Sequence, residues 1–213
     1  MVPDDPETPH ALYGTRHHAP TKSHLAAAPV MDLALVVGHH PDAQGATLSL
    51  SGHRTTEYKL WSPFARELAL TLIQRDVDVD VIHRPNPDPD SDLMHEVNHT
   101  GADLAVELHF NAASGRASGS EMLYWPGSPK GKAFAEHLQA ETVDALGNED
   151  RGAKPRSDLA FLEGTSMPAV IAEPFFGSSP KDAFRGVTRL PDLMQAYRTA
   201  ILQALTDFDH PPA

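Results

Sequence analysis

The chain of 213 residues contains no cysteine. Disulfides, thiolate metal sites and a cysteine nucleophile are excluded together, so a transition metal would need histidine and carboxylate ligands. Histidine is plentiful, with 13 residues, most of which must be ordinary surface side chains. Positive charge is scarce: 17 Lys and Arg stand against 29 Asp and Glu, a formal net charge of -12. That balance argues against nucleic acid and anionic membrane as partners. No apolar run approaches the roughly 20 residues that a membrane-spanning helix needs. The patchily apolar stretch from Leu25 to Val37 is interrupted by Pro29 and Asp32. The first residues include Asp4, Asp5 and Glu7, without the apolar region of a secretory signal. There is no internal repeat.

The length suits one domain with a substantial core. Residues 1–30 are rich in proline and histidine and poor in bulky apolar side chains, which predicts a flexible arm. Residues 31–208 carry the folding pattern, and 209–213 are expected to form a disordered tail. Apolar runs at Leu33–Val37, Val77–Ile82, Leu104–Leu108, Ser120–Trp125 and Ala169–Ala172 predict strands. Val77, Val79 and Val81 alternate with aspartates, the pattern of a half-exposed edge.

Leu60, Trp61, Phe64, Ala65, Leu68, Ala69, Leu72 and Ile73 repeat with helical spacing and give one apolar face. Pro63 means that this helix either kinks there or starts at Ser62 as cap. Ser128-Pro129 predicts a helix start before Phe134, Leu138, Thr142 and Leu146, with Gly147 as the stop. A last helix runs from about Pro191 to Phe208. Strands separated by helices imply an α/β domain: a twisted, mostly parallel sheet flanked by helices on both faces.

Three potential catalytic side chains follow directly on apolar strands: His39 after Leu33–Val37 and Gly38, His109 after Leu104–Leu108, and Glu173 after Ala169–Ala172. In open parallel sheets, ligands bind at the carboxyl ends of the strands, so the three groups would converge on one rim. Two imidazoles and a carboxylate are a common catalytic zinc set, and a further free carboxylate can act as acid and base. Each residue also has a plain structural reading. His40 rivals His39; Glu57 is the best carboxylate ligand but also an acid near a helix start, with His53 close by. Glu173 and Glu107 could each be a buried, paired structural acid.

Several blocks together carry more information than any one. Val37-Gly38-His39, Gly45-Ala46 and Thr56-Glu57-Tyr58 are followed by Glu107-Leu108-His109-Phe110-Asn111-Ala112 and then by Gly119-Ser120-Glu121 with Tyr124. Asp150-Arg151-Gly152-Ala153-Lys154 and Met167 to Phe176 complete the order. In these blocks the chain resembles the zinc-dependent N-acetylmuramoyl-L-alanine amidases of the autolysin and phage-endolysin type, from about Leu33 to Leu205. The resemblance implies one Zn2+ per chain held by His39, Glu57 and His109, with Glu173 as catalytic carboxylate and Asn111 and Arg151 near the substrate. It implies peptidoglycan as substrate and a phage- or prophage-encoded endolysin; the missing secretory signal predicts a protein made in the cytoplasm that acts on the wall after release, by a holin-type route if it is a phage endolysin. The chain departs from the family where His40-Pro41 replaces glycines after the first histidine. A second departure is Glu107, which stands where a serine or other small residue is common.

Two rival readings stand beside this one. A zinc carboxypeptidase or other amidohydrolase on a related scaffold would use Arg151 or Arg156 for a free carboxylate. A non-catalytic wall-binding protein would keep the fold and lose the ligands.

Overall fold

The structure, a computed structural model, describes residues 31–85, 90–114 and 116–209. The expected arm at 1–30 and the last four residues of the expected tail lie outside this range; Asp209 ends the final helix. Six strands form one sheet: β1 (Met31–Val37), β4 (Val77–His83), β5 (Leu104–Leu108), β6 (Ser120–Tyr124), β7 (Asp150–Pro155) and β8 (Ala169–Glu173). Their order is β4-β1-β5-β8-β6-β7, and every pairing is parallel except β6 with β8. The valine–aspartate strand β4 is an edge, as its alternation requires. A short hairpin, β2 (Thr47–Leu50) and β3 (His53–Thr56), stands apart.

Helices cover both faces, and the period of two in the strands sorts the core accordingly. Leu33, Leu35 and Val37 of β1, with Leu104, Val106 and Leu108 of β5, face α1 (Glu57–Ile73), α3 (Pro129–Leu146) and α6 (Leu190–Asp209). Ala34, Val36 and Ala105 face α2 (Asp90–Thr100) and the short α4 (Ala160–Gly164). A nine-residue helix, α5 (Pro180–Thr188), precedes α6. Leu60, Trp61, Phe64, Leu68 and Leu72 of α1 are all buried, at ~1.5–3 kcal/mol for each large side chain.

Helix ends follow their local chemistry. Ser128 caps α3 by accepting the Gly131 N–H at 3.0 Å, and Gly147 stops it in the left-handed region at φ 63°. The start of α1 differs from the Ser62 alternative. Thr56 is the cap, its hydroxyl accepting the Lys59 N–H at 3.4 Å, and Pro63 lies inside the helix. Pro63 and Lys59 are both on the exposed face, so the Lys59 carbonyl that Pro63 cannot satisfy is turned to solvent.

Candidate metal centre and its cavity

The same alternation that builds the core selects one face of the sheet for chemistry. On β5, Glu107 follows Ala105 onto the α2/α4 face, and His109 continues the row past the strand end. The pairing Glu107↔Ile171 on β8 and Leu123↔Ile171 on β6 gives one cross-strand row. The next row towards the rim is His109, Glu173 and Glu121, with Glu121↔Glu173 in direct register and the His109 N–H donating to Ala172 O at 3.0 Å.

His39, Glu57 and His109 meet at this rim. One potential ligand atom from each lies within 4.8 Å of the others. Glu57 is the first residue of α1 and is 5% exposed, so its carboxylate sits where the helix N-terminus favours an anion. Oε1 accepts the Ala46 N–H at 2.8 Å and stands 3.3 Å from His39 Nε2. Oε2 accepts the Phe110 N–H at 3.1 Å and stands 3.0 Å from His109 Nδ1. Two backbone donors thus fix the acid between two imidazoles, whose rings meet edge to face at 4.9 Å. Glycine makes the approach possible: a Cβ on Gly38 would fall 2.1 Å from His109 Nε2, and one on Gly45 would fall 2.4 Å from the His39 ring.

The electrostatics favour a cation here. Burial would raise the Glu57 pKa, but hydrogen bonds to His109 and His39 hold it down at about 2. Burial would lower His109, but Glu107 and Glu57 carry it up to about 10. Two nitrogens, one carboxylate and no sulfur form a donor set suited to a borderline ion such as zinc. Glu173 lies outside that donor set: its Oε2 is buried and has no hydrogen-bond partner among the described residues. Burial pushes its pKa up to about 8, against the pull of His109 and with added repulsion from Glu57, Glu121 and Glu107.

A cavity of about 490 Å³ opens beside the cluster, with Glu107, His109, Asn111, Glu121, Arg156 and Glu173 among its walls. Glu121 anchors the far wall. It accepts from Asn111 Nδ2 at 2.8 Å, Arg151 Nε at 2.6 Å and Lys154 Nζ at 2.6 Å. Partial burial would raise its pKa, but Lys154 and Arg151 hold it below the ordinary carboxylate value. Arg151 stands behind Glu121, its guanidinium 5.0 Å over the Phe176 ring.

A family profile described as N-acetylmuramoyl-L-alanine amidase matches residues 33–207. The chain belongs to that amidase family. Among solved structures, the catalytic domain of the CD27L endolysin targeting Clostridia difficile superposes with a TM-score of 0.67 at 28% identity, over 81% of this chain and 97% of that one. The N-acetylmuramoyl-L-alanine amidase from Clostridium difficile 630 superposes at 0.71 and 22% identity, over 87% and 100%, a likeness of fold. The germination-specific N-acetylmuramoyl-L-alanine amidase of Bacillus subtilis is 27% identical over 119 residues, which is 54% of this chain and 50% of that protein. The chain spans half or less of the length of the curated relatives it matches.

Within this family member the rival histidines stand apart from the cluster. His40 is buried, its Nδ1 accepting the Asp42 N–H at 3.2 Å, and His53 is exposed on the hairpin opposite Leu50. Glu107 is buried and paired, 1% exposed and 2.7 Å from Arg84. Sequence reasoning missed Arg84 and Lys154. Arg84 follows directly on β4, so the rule that singled out His39 and His109 could have found it.

Proposed function

We propose that this chain is a zinc-dependent amidase that hydrolyses the bond between N-acetylmuramic acid and L-alanine in peptidoglycan. His39, Glu57 and His109 hold one zinc, and Glu173 is the catalytic carboxylate. The observation that carries the reading is the buried, partnerless Oε2 of Glu173, in the same cross-strand row as His109. A native carboxylate oxygen is seldom left unsatisfied in the interior, and a reacting water or leaving group would supply its partner. Family membership and the likeness to an endolysin catalytic domain support the substrate, and the second supports an endolysin role.

Zinc in this site would supply a Lewis acid for the amide carbonyl and acidify water towards a pKa of ~7. Glu173 takes the proton of the attacking water at Oε2 and returns it to the alanine nitrogen, which then leaves as an amine. Burial raises its pKa, and a zinc ion beside it would draw that value back down, towards the range in which a carboxylate can both take and return a proton near neutral pH. Asn111 and Arg151 are assigned to substrate through the Glu121 carboxylate they share, which fixes the wall opposite the reacting bond.

Digestion of purified sacculi, with and without a chelator and with products identified by mass, tests the proposal. The expected products are lactyl-muramyl ends and peptides with free N-terminal alanine, lost on chelation and restored by zinc. Release of free amino acids from intact muramyl-alanine linkages would replace it with the carboxypeptidase reading. Binding without cleavage would leave a wall-binding protein.

A further inference from the structure

We infer that Glu107 is a positioning residue for the metal centre, accepting the Nε2 proton of His109 and so fixing the tautomer that leaves Nδ1 free to ligate. The inference rests on the zinc reading given above. Its starting point is an acid in an expensive place. Glu107 lies between Val106 and Leu108 in a buried strand, and burying an ion pair there costs more than a small neutral side chain would.

Both ring nitrogens of His109 face acids. Nδ1 is 3.0 Å from Glu57 Oε2, on the side of His39; Nε2 is 3.5 Å from Glu107 Oε1, on the side of the cavity. A neutral imidazole carries one proton, and a ligating nitrogen must offer its lone pair. With Nδ1 turned to the cluster, the proton belongs on Nε2, and Glu107, at an ion-pair distance of 3.5 Å, is the carboxylate placed to receive it. Metal-bound histidines commonly give their other N–H to a carboxylate, which sets ring orientation and raises ligand basicity.

The acid is itself held. Arg84 Nη2 donates to the same Oε1 at 2.7 Å, and Arg84 Nε donates to Gly38 O at 2.9 Å. One guanidinium therefore ties the acid behind His109 to the backbone just before His39. Gly38 lies flat against the Nε2 edge of the ring, so no side chain from β1 competes with Glu107 there.

The test uses the full chain and the variants Glu107→Gln and Glu107→Ser. Zinc affinity is read by competition with a coloured chelator, and the His109 tautomer by long-range proton–nitrogen NMR of the zinc-loaded wild type. The Nε2–H tautomer is expected in the wild type. Zinc binding should weaken ~10- to 100-fold in the variants, the usual range for such outer partners. The loss should be smaller in Glu107→Gln, whose amide oxygen can still accept and still serve Arg84. That variant carries the affinity measurement if Glu107→Ser does not fold. An Nδ1–H tautomer, or variants that bind zinc within twofold of wild type, would reduce Glu107 to a structural partner of Arg84 and leave the zinc reading standing. A wild type that binds no zinc would overturn both.

Discussion

The two rims of the sheet both collect carboxylates, and only one of them has the means to use them. At the carboxyl ends of the parallel strands, Glu57, Glu107, Glu121 and Glu173 are drawn inward among two imidazoles, Arg84, Arg151 and Lys154. At the opposite rim, Asp32 is surrounded by Asp78, Asp80 and Asp103. There its carboxyl is pushed up, first by partial burial and then by repulsion from those neighbours. Acid count does not distinguish the rims. Nitrogen donors, burial, and one carboxylate oxygen left without a partner do.

The contrast can be broken at the working rim first. Glu173→Ala should retain zinc and fold but lose at least ~100-fold in turnover, the scale of an acid–base group. Steady-state rates on a metal-replete protein check it, and near-normal activity would end the assignment. Gly38→Ala comes next in size. Its backbone tolerates alanine, but the new methyl would strike the His109 ring, so zinc affinity should fall about tenfold, with the metal-free melting temperature far less affected. Chelator competition beside a thermal melt separates the two effects.

The smallest effect belongs to the idle rim. A pKa raised on folding means that the native state holds the proton more tightly than the unfolded chain, so ionisation of Asp32 weakens the fold as pH rises. Asp32→Asn should therefore stabilise the protein at pH 7 by only ~0.3 kcal/mol, the scale of exposed charge pairs. The gain should vanish below the ordinary aspartate pKa of 3.8. Denaturant melts at pH 7 and pH 3 would show it, and a gain that persists in acid would refute the repulsion account.

How much of this was legible in sequence depended on the range over which each feature acts. His39, His109 and Glu173 stand at the ends of apolar runs, and a local pattern places such residues on a rim. Glu57 has no such pattern: its position comes from Thr56 capping α1 and from backbone N–H groups of Ala46 and Phe110, far apart in the chain. The hairpin β2–β3 was not foreseen because Thr47–Leu50 and His53–Thr56 are short and largely polar. Nor was the reversed direction of β6 against β8, since alternation marks faces and carries no sense of direction.

Ser-Pro shows the limit well. At Ser128-Pro129 and Ser179-Pro180 it opens a helix, while at Ser62-Pro63 the helix is already under way from Thr56. The same dipeptide is overruled where an earlier cap and a buried acid at Glu57 set the first turn.

The position of Glu57 has one more consequence. His39 follows closely on a sheet strand and Glu57 begins a helix, and everything between them, including the hairpin, forms a loop with both ends at one point. Any ion that His39 and Glu57 hold in common closes that loop as a staple, removing chain entropy that the open loop would keep. In a chain without sulfur for a cross-link, the atoms that serve the reaction would also be the fastening of the loop above it.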